Sequence, residues 1–202
     1  HVSSWRIARN LMAATEKADA TASLIRAAGE LKRAPIYIDD ASGLDVSDLR
    51  ARARRMKRQY GIELIVIDYL QLCQCREVSK QGRQIEVSRI SGSIKSMAKE
   101  LHIPVIVLSQ LSRANEQRGD KNEKPKLSDL RDSGAIEQDA DIVIFLKRED
   151  YYAEDDDEVD LSRQSNTCEV HVAKHRSGST GVVELAWIGK YTKFGNLERS
   201  IL

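Results

Sequence analysis

The sequence predicts an α/β domain with a mainly parallel sheet flanked by helices, and three observations predict it. Short continuous apolar runs, Leu64–Ile67, Val105–Leu108 and Ile142–Leu146, read as strands buried on both faces rather than on one. Between them lie segments with apolar residues three and four apart, the spacing of one helical face. After Leu146 the helices stop, and two strand-like segments around a glycine-containing turn close the chain as an antiparallel hairpin. Alternating strands and helices give a parallel sheet because each parallel connection needs a crossover. No Pro/Gly/Ser-rich linker interrupts the alternation and no internal repeat is present, so residues 1–202 read as one domain.

Each element follows from its own residues. Thr15–Lys32 reads as a helix with Leu24, Ala28 and Leu31 on one face, stopped by Pro35. Ile36–Ile38 then reads as a short strand ending in Asp39 and Asp40. Asp45 is an N-cap for a second helix, whose stripe is Val46, Leu49, Ala53, Met56 and Tyr60, and Gly61 ends it. The strand Leu64–Ile67 is closed by Asp68. Ile90, Ile94, Met97 and Leu101 mark a third helix, and Pro104 precedes the strand Val105–Leu108. A polar loop spans about residues 111–126, and Asp141–Leu146 is the next strand. Cys168–Lys174 and Gly181–Ile188 form the hairpin around His175, Arg176, Ser177 and Gly178.

Composition narrows the function classes. With 202 residues there is enough chain for a real core, and 41% apolar content is ordinary for a folded protein. Lys and Arg number 32 against 31 Asp and Glu, a net charge of +1, which excludes a globally basic coat protein but not local patches. The acidic run Glu149–Asp160 reads as an exposed connection between strands. No apolar run reaches the roughly 18 residues of a membrane span, and HVSSWRIARN lacks a signal-peptide core. The first residue is His1 rather than Met, which points to a processed chain or an excerpt. Cys73, Cys75 and Cys168 form no disulfide framework, so a reduced, cytosolic setting is expected; no second pair or nearby His completes a zinc site around Cys73 and Cys75.

In open α/β sheets ligands bind beyond the carboxyl ends of the strands. Asp68 after an apolar strand is what a Walker B position looks like: a carboxylate in a dry site holding Mg²⁺ through water beside nucleotide phosphates. Read alone, it is equally a cap for the next segment. Gln110, one strand over, suits the orientation of an attacking water or the sensing of a γ-phosphate, or else satisfies loop backbone groups. Lys174 and Arg176 read on spacing alone as a solvated hairpin tip. Asp132 and Ser133 read as caps of a short helix beginning near Ala135. The cluster Arg50, Arg52, Arg54, Arg55, Lys57 and Arg58 reads as the solvated face of the second helix.

Four strings then occur in order: LIVIDYLQL (64–72), PVIVLSQLSR (104–113), KLSDLRDSGAIEQDADIVIFL (126–146) and VAKHRSGSTGVVELAW (172–187), with PIYIDD (35–40) upstream. Together they closely resemble the C-terminal, RecA-like motor domain of the DnaB-like replicative hexameric helicases, over nearly all of the chain. The resemblance implies a RecA-like P-loop NTPase core. It implies that Asp68 is the Walker B aspartate, binding ATP with Mg²⁺, and that Gln110 links the γ-phosphate to the DNA-facing loops. Arg113 then holds a loop position near that glutamine. Lys174 and Arg176 resemble the basic pair that reaches into the nucleotide site of the adjacent subunit, where a guanidinium neutralises charge developing on the γ-phosphoryl group. Arg131, Asp132 and Gly134 resemble the loop that follows single-stranded DNA without reading its sequence. Implied partners are single-stranded DNA, a homo-hexameric ring, a primase and a helicase loader, with no membrane.

The phosphate-cradling Gly-x-x-x-x-Gly-Lys-Ser/Thr loop is absent. Gly189-Lys190 is followed by Tyr191 and has Glu184 at the first glycine position. The family's catalytic glutamate has no matching segment either. The resemblance therefore implies a partial motor domain beginning after the phosphate-binding strand and first helix, inactive on ATP by itself and poorly stable unless another segment supplies that strand. Two alternatives stay open: a non-catalytic truncated paralogue that docks into a ring, and a RecA-like recombination or repair ATPase.

Overall fold

A computed structural model describes residues 14–111, 125–130, 134–148 and 167–197. Within them lie α1 (Ala14–Arg33), α2 (Val46–Tyr60), β1 (Ile65–Ile67), α3 (Arg83–Leu101), β2 (Val105–Val107), α4 (Gly134–Asp139), β3 (Ile142–Arg148), β4 (Thr167–His175), β5 (Gly181–Ile188) and β6 (Lys193–Asn196). Single 3₁₀ turns at Leu70–Leu72, Ser79–Gln81, Leu127–Asp129 and Gly189–Tyr191 join them. The loop predicted for residues 149–160 lies outside the described residues. The chain divides into two compact units, residues 40–147 with 171–182, and residues 1–39, 148–170 and 183–202.

In the first unit, β1 and β2 pair in parallel with Ile65 opposite Val105, Val66 opposite Ile106 and Ile67 opposite Val107. A parallel pair cannot be joined by a tight turn, and α3 supplies the crossover. This helix begins seven residues before Ile90, because Val87 extends the stripe Ile90, Ile94, Met97 by one more turn. Val87 and Ile90 are completely buried, and Met97 nearly so, in a core shared with Ile67, Leu70, Val46 and Ala53. Helix α2 has the boundaries that its capping residues dictate. Asp45 accepts from the Ser47 backbone N–H at 3.0 Å, and Gly61, at φ 64°, takes the left-handed conformation that returns its N–H to Lys57. The end of α3 is closed in the same manner: His102 adopts φ 53° and returns its N–H to Ala98.

The continuous apolar runs predicted burial on both faces of the strands, and the structure buries one. Ile67 is buried, but Val66 and its register partner Ile106 are 56% and 53% exposed, and Ile142, Ile144 and Leu146 alternate with buried Val143 and Phe145. The helices α2 and α3 supply the apolar groups for one face only. A second, smaller core gathers Leu130, Val143 and Phe145 with Leu127, Ile136 and Ala173 around them.

The remaining strands follow the order β3-β4-β5-β6 in a single sheet. Five residues separate β4 from β5, a connection short enough only for an antiparallel hairpin. At its turn, a Cβ on Gly178 would lie 2.3 Å from the His175 ring, so a larger residue there would displace that side chain. Strand β6, which the sequence reading missed, pairs antiparallel with β5 through Trp187 opposite Phe194. Those rings lie 4.8 Å apart, and the Arg148 guanidinium sits 4.5 Å from the Trp187 ring.

One expectation fails in the other unit. Ile36–Ile38 is no strand: no described strand pairs with it, and Ile38 is 86% exposed. The helix α1 forms as read, with its stripe Leu24, Ala28 and Leu31 exposed. Periodicity reports which face would be covered, and the cover itself has to come from another segment.

Buried carboxylates fix the segment after β1. Asp45 accepts from the Arg76 N–H at 2.9 Å as well as from Ser47, and Glu86 accepts from the Cys75 N–H at 3.0 Å and from Arg83 at 2.8 Å. These bonds hold both carboxyls below the usual range, with the Arg76 N–H the main cause for Asp45 and the Cys75 N–H for Glu86. On the surface, Arg54 and Arg50 both grip Glu100 and lower it from 4.5 to about 2. Two members of the basic cluster thus share one surface carboxylate, in keeping with a solvated face. Groups depressed in the folded state stabilise above their unfolded pKa and lose that contribution as pH falls through the folded value. Stability is therefore expected to be flat near neutrality and to decline below about pH 4.5, the Glu100 share disappearing by about pH 2. Urea midpoints between pH 7 and 2 check this; the Glu100 share is the part that an Arg50→Gln, Arg54→Gln variant loses and that added salt weakens.

Candidate functional site

The parallel register brings the carboxyl ends of β1 and β2 side by side, and with them two of the predicted residues. Beyond the ladder, the Leu108 N–H donates to the Ile67 carbonyl at 3.0 Å and the Leu70 N–H to the Leu108 carbonyl at 2.8 Å. Asp68 follows β1 directly, through a cis peptide to Tyr69, and its carboxylate is exposed. Gln110 lies just past β2 and is also exposed. The 3₁₀ turn after Asp68 places Gln71 against the β2 end. Its Nε2 donates to Ser109 Oγ at 3.1 Å and to the Gln110 carbonyl at 3.2 Å, while its Oε1 accepts from the Gln110 N–H at 3.3 Å. Arg83, at the start of α3, donates to the Gln71 carbonyl at 2.9 Å. The sequence reading passed over Gln71; its only local signal is an amide side chain three residues beyond the strand-terminal aspartate.

Lys174 and Arg176 form a second group, held by α4 rather than standing free at a hairpin tip. Lys174 Nζ donates to the carbonyls of Glu137 and Gln138, and Arg176 Nη2 donates to the Gln138 carbonyl at 3.3 Å. Cations are favoured at these carbonyls, which the end of a helix leaves without partners. Arg176 also pairs with Asp141 at 3.0 Å, and Lys95 pairs with the same carboxylate. Asp141 is held below the ordinary carboxylate range, chiefly by Lys95, with Arg176 and Lys174 adding to it. Ser91 Oγ donates to Asp139 at 2.7 Å, tying α4 to α3. No hydrogen bond described for this group reaches Asp68 or Gln110.

Gly134 opens α4, so one six-residue helix carries this glycine at its start and the basic pair at its end. A Cβ on Gly134 would meet nothing within 4 Å, so the chain's own packing does not demand glycine there. Arg113, Arg131 and Asp132 lie outside the described residues. Cys73 and Cys75 are buried in the core, and burial pushes the Cys73 thiol up. Among the described residues no helix is long and apolar enough to cross a membrane.

Residues 2–196 match the family model of the DnaB-like helicase C-terminal domain. Among curated proteins, the chain is 54% identical over 176 residues to the replicative DNA helicase DnaB of Geobacillus stearothermophilus, covering 87% of this chain and 37% of that protein. It is 49% identical over 192 residues to the replicative DNA helicase DnaC of Bacillus subtilis (strain 168), covering 95% of this chain and 40% of that one. In structure it resembles a solved ATPase domain, with a TM-score of 0.83, 42% identity and coverage of 98% of this chain and 66% of that one. A DnaB-like replicative helicase, solved for its interactions with primase, matches with a TM-score of 0.76, 44% identity and coverage of 89% and 42%. The fold is therefore that of a helicase ATPase domain. The chain belongs to the DnaB-like helicase C-terminal domain family. It spans about two-fifths of the length of the curated relatives it matches.

Proposed function

We propose that this chain is part of the motor domain of a replicative DNA helicase, a homo-hexameric ring that couples ATP hydrolysis at its subunit interfaces to translocation on single-stranded DNA and duplex unwinding. The observation that carries the reading is the juxtaposition of Asp68 and Gln110 at the carboxyl ends of two paired parallel strands.

The donor set suits Mg²⁺ bound with ATP. Asp68 offers an exposed hard-oxygen ligand, and among the described residues no group of three or more His, Cys, Asp or Glu forms a metal cage. Such a site suits an ion held by one carboxylate together with waters and phosphates. When bound, ATP would supply the phosphoryl group transferred to water, and Mg²⁺ would neutralise charge on its oxygens. Asp68 would hold the ion, and Gln110 would orient the attacking water and sense the γ-phosphate. Lys174 and Arg176 serve the neighbouring subunit's nucleotide. Arg131, Asp132 and Gly134 follow the DNA backbone, where Gly134 gives unobstructed access to its amide. The phosphate-cradling loop, absent from these 202 residues, has to come from elsewhere in the assembled protein. A primase and a loader are the expected partners, in the cytoplasm.

The test is unwinding of a forked duplex by the full-length helicase that carries this chain. Asp68→Ala is expected to abolish both ATP turnover and unwinding. Gly134→Ala is expected to leave the melting temperature unchanged or slightly raised, since the added methyl meets open space, while weakening single-stranded DNA binding several-fold. Retention of unwinding by Asp68→Ala, or strand exchange without unwinding by the unaltered protein, would refute the assignment.

A further inference from the structure

We propose that Gln71 is a positioning residue for ATP hydrolysis, one that sets Gln110 by binding its main chain rather than by touching nucleotide. The inference rests on the reading of Gln110 as the γ-phosphate sensor. The primary amide of Gln71 has one acceptor and two donors, and the structure uses both kinds on one neighbour. Oε1 takes the Gln110 N–H at 3.3 Å, and Nε2 gives to the Gln110 carbonyl at 3.2 Å and to Ser109 Oγ at 3.1 Å.

The geometry resembles one more rung of the β1–β2 ladder, made by a side chain where the strands have ended. Among the described residues, the last main-chain bond between these segments runs from the Leu70 N–H to the Leu108 carbonyl. Past that bond the main chain of Gln110 is held by side chains, and without them it would be free to rotate. Gripping both its N–H and its carbonyl removes that freedom and fixes the direction in which the Gln110 side chain leaves the sheet. Ser109 Oγ reaches the same carbonyl, but only at 3.5 Å, and Gln71 holds that hydroxyl as well. Gln71 is itself secured: its carbonyl accepts from Arg83 at 2.9 Å, and Arg83 is paired to buried Glu86 at 2.8 Å. The neighbouring Leu70 is almost completely buried, so the turn that carries Gln71 is anchored in the core. A catalytic group misplaced by about 1 Å can lose up to about 100-fold in rate, so such a clamp acts on turnover rather than on binding.

A double-mutant cycle in the full-length helicase tests this. Gln71→Ala and Gln71→Met, the second keeping length without polar atoms, are assayed with Gln110→Ala and with each Gln71 change combined with it. Saturating single-stranded DNA is present, and rates are referred to hexamer recovered by gel filtration. Each Gln71 variant is expected to lower kcat about tenfold with KM for ATP held within about twofold. In the Gln110→Ala background the Gln71 changes are expected to add less than about twofold, because the side chain they position is gone. A merely structural Gln71 predicts multiplied losses in the double variants, and that result overturns the proposal. So does a normal kcat for both Gln71 variants beside a slow Gln110→Ala. If Gln110→Ala itself turns over normally, the sensor reading fails first and the positioning role falls with it.

Discussion

On the proposed trans role of Arg176, replacing it with alanine in the full-length protein is expected to lower ATP turnover by about 10³- to 10⁵-fold, the range observed where an arginine finger neutralises the transferring phosphoryl group. The fold should barely register the change. The Arg176–Asp141 pair is exposed on both sides, 53% and 55%, and such pairs contribute about 0–1 kcal/mol. Asp141 keeps Lys95 as its partner, and the Arg176 N–H still donates to the Asp141 carbonyl at 2.8 Å. Arg176→Lys should recover little, since an ammonium cannot reproduce the planar fork. The decisive measurement is complementation. Arg176→Ala subunits retain Asp68, and Asp68→Ala subunits retain Arg176, so mixed rings contain interfaces with both intact residues. Activity regained on mixing two inactive preparations supports action in trans; a mixture as dead as its parts places Arg176 elsewhere. On the proposed trans role, the basic pair would have to exchange carbonyls of Glu137 and Gln138 for phosphate.

The largest effect on stability is expected at Ile90. It is completely buried in the middle of α3, in the cluster that joins this helix to β1 and α2. Truncation to alanine removes three methyl or methylene groups and leaves a cavity between elements that cannot close independently, a loss of about 2–5 kcal/mol. Against the about 5–15 kcal/mol that holds an ordinary domain together, this is a large fraction. Ile106→Ala is the matched control: the side chain is 53% exposed on the uncovered face of β2, and its truncation should cost well under half as much. Urea unfolding of the two variants in the full-length protein measures the difference. Equal losses would show that the uncovered face is packed in the assembled protein as tightly as the α3 side, and that the asymmetry of these strands belongs to this chain alone.

The bounds of α2 were legible in the sequence because both ends are local. Asp45 reaches an N–H two residues away, and Gly61 returns its N–H four residues back to Lys57. The hairpin strand Gly181–Ile188 was legible for a similar reason, a largely apolar run following a short glycine-containing turn. Asp68 and Gln110 were legible as the polar closures of apolar strands, and the ordered strings around them identified the family over nearly the whole chain. The exposed stripe of α1 and Ile36–Ile38, which joins no strand among the described residues, mark the limit of that method, since an apolar pattern shows what could be buried without supplying a cover.

By itself, then, the sequence determined the family, most of the helices and strands in their order, and the residue types available for phosphate and metal chemistry. Tertiary structure decided how those residues are held. Gln71 meets Gln110 across 39 positions of chain, and Lys174 meets the Glu137 carbonyl across 37. Neither meeting has a local signature, because a side-chain amide or ammonium can satisfy itself on any carbonyl within reach. Only the parallel register of β1 with β2, and the return of β4 past the end of α4, bring these particular carbonyls within hydrogen-bonding distance.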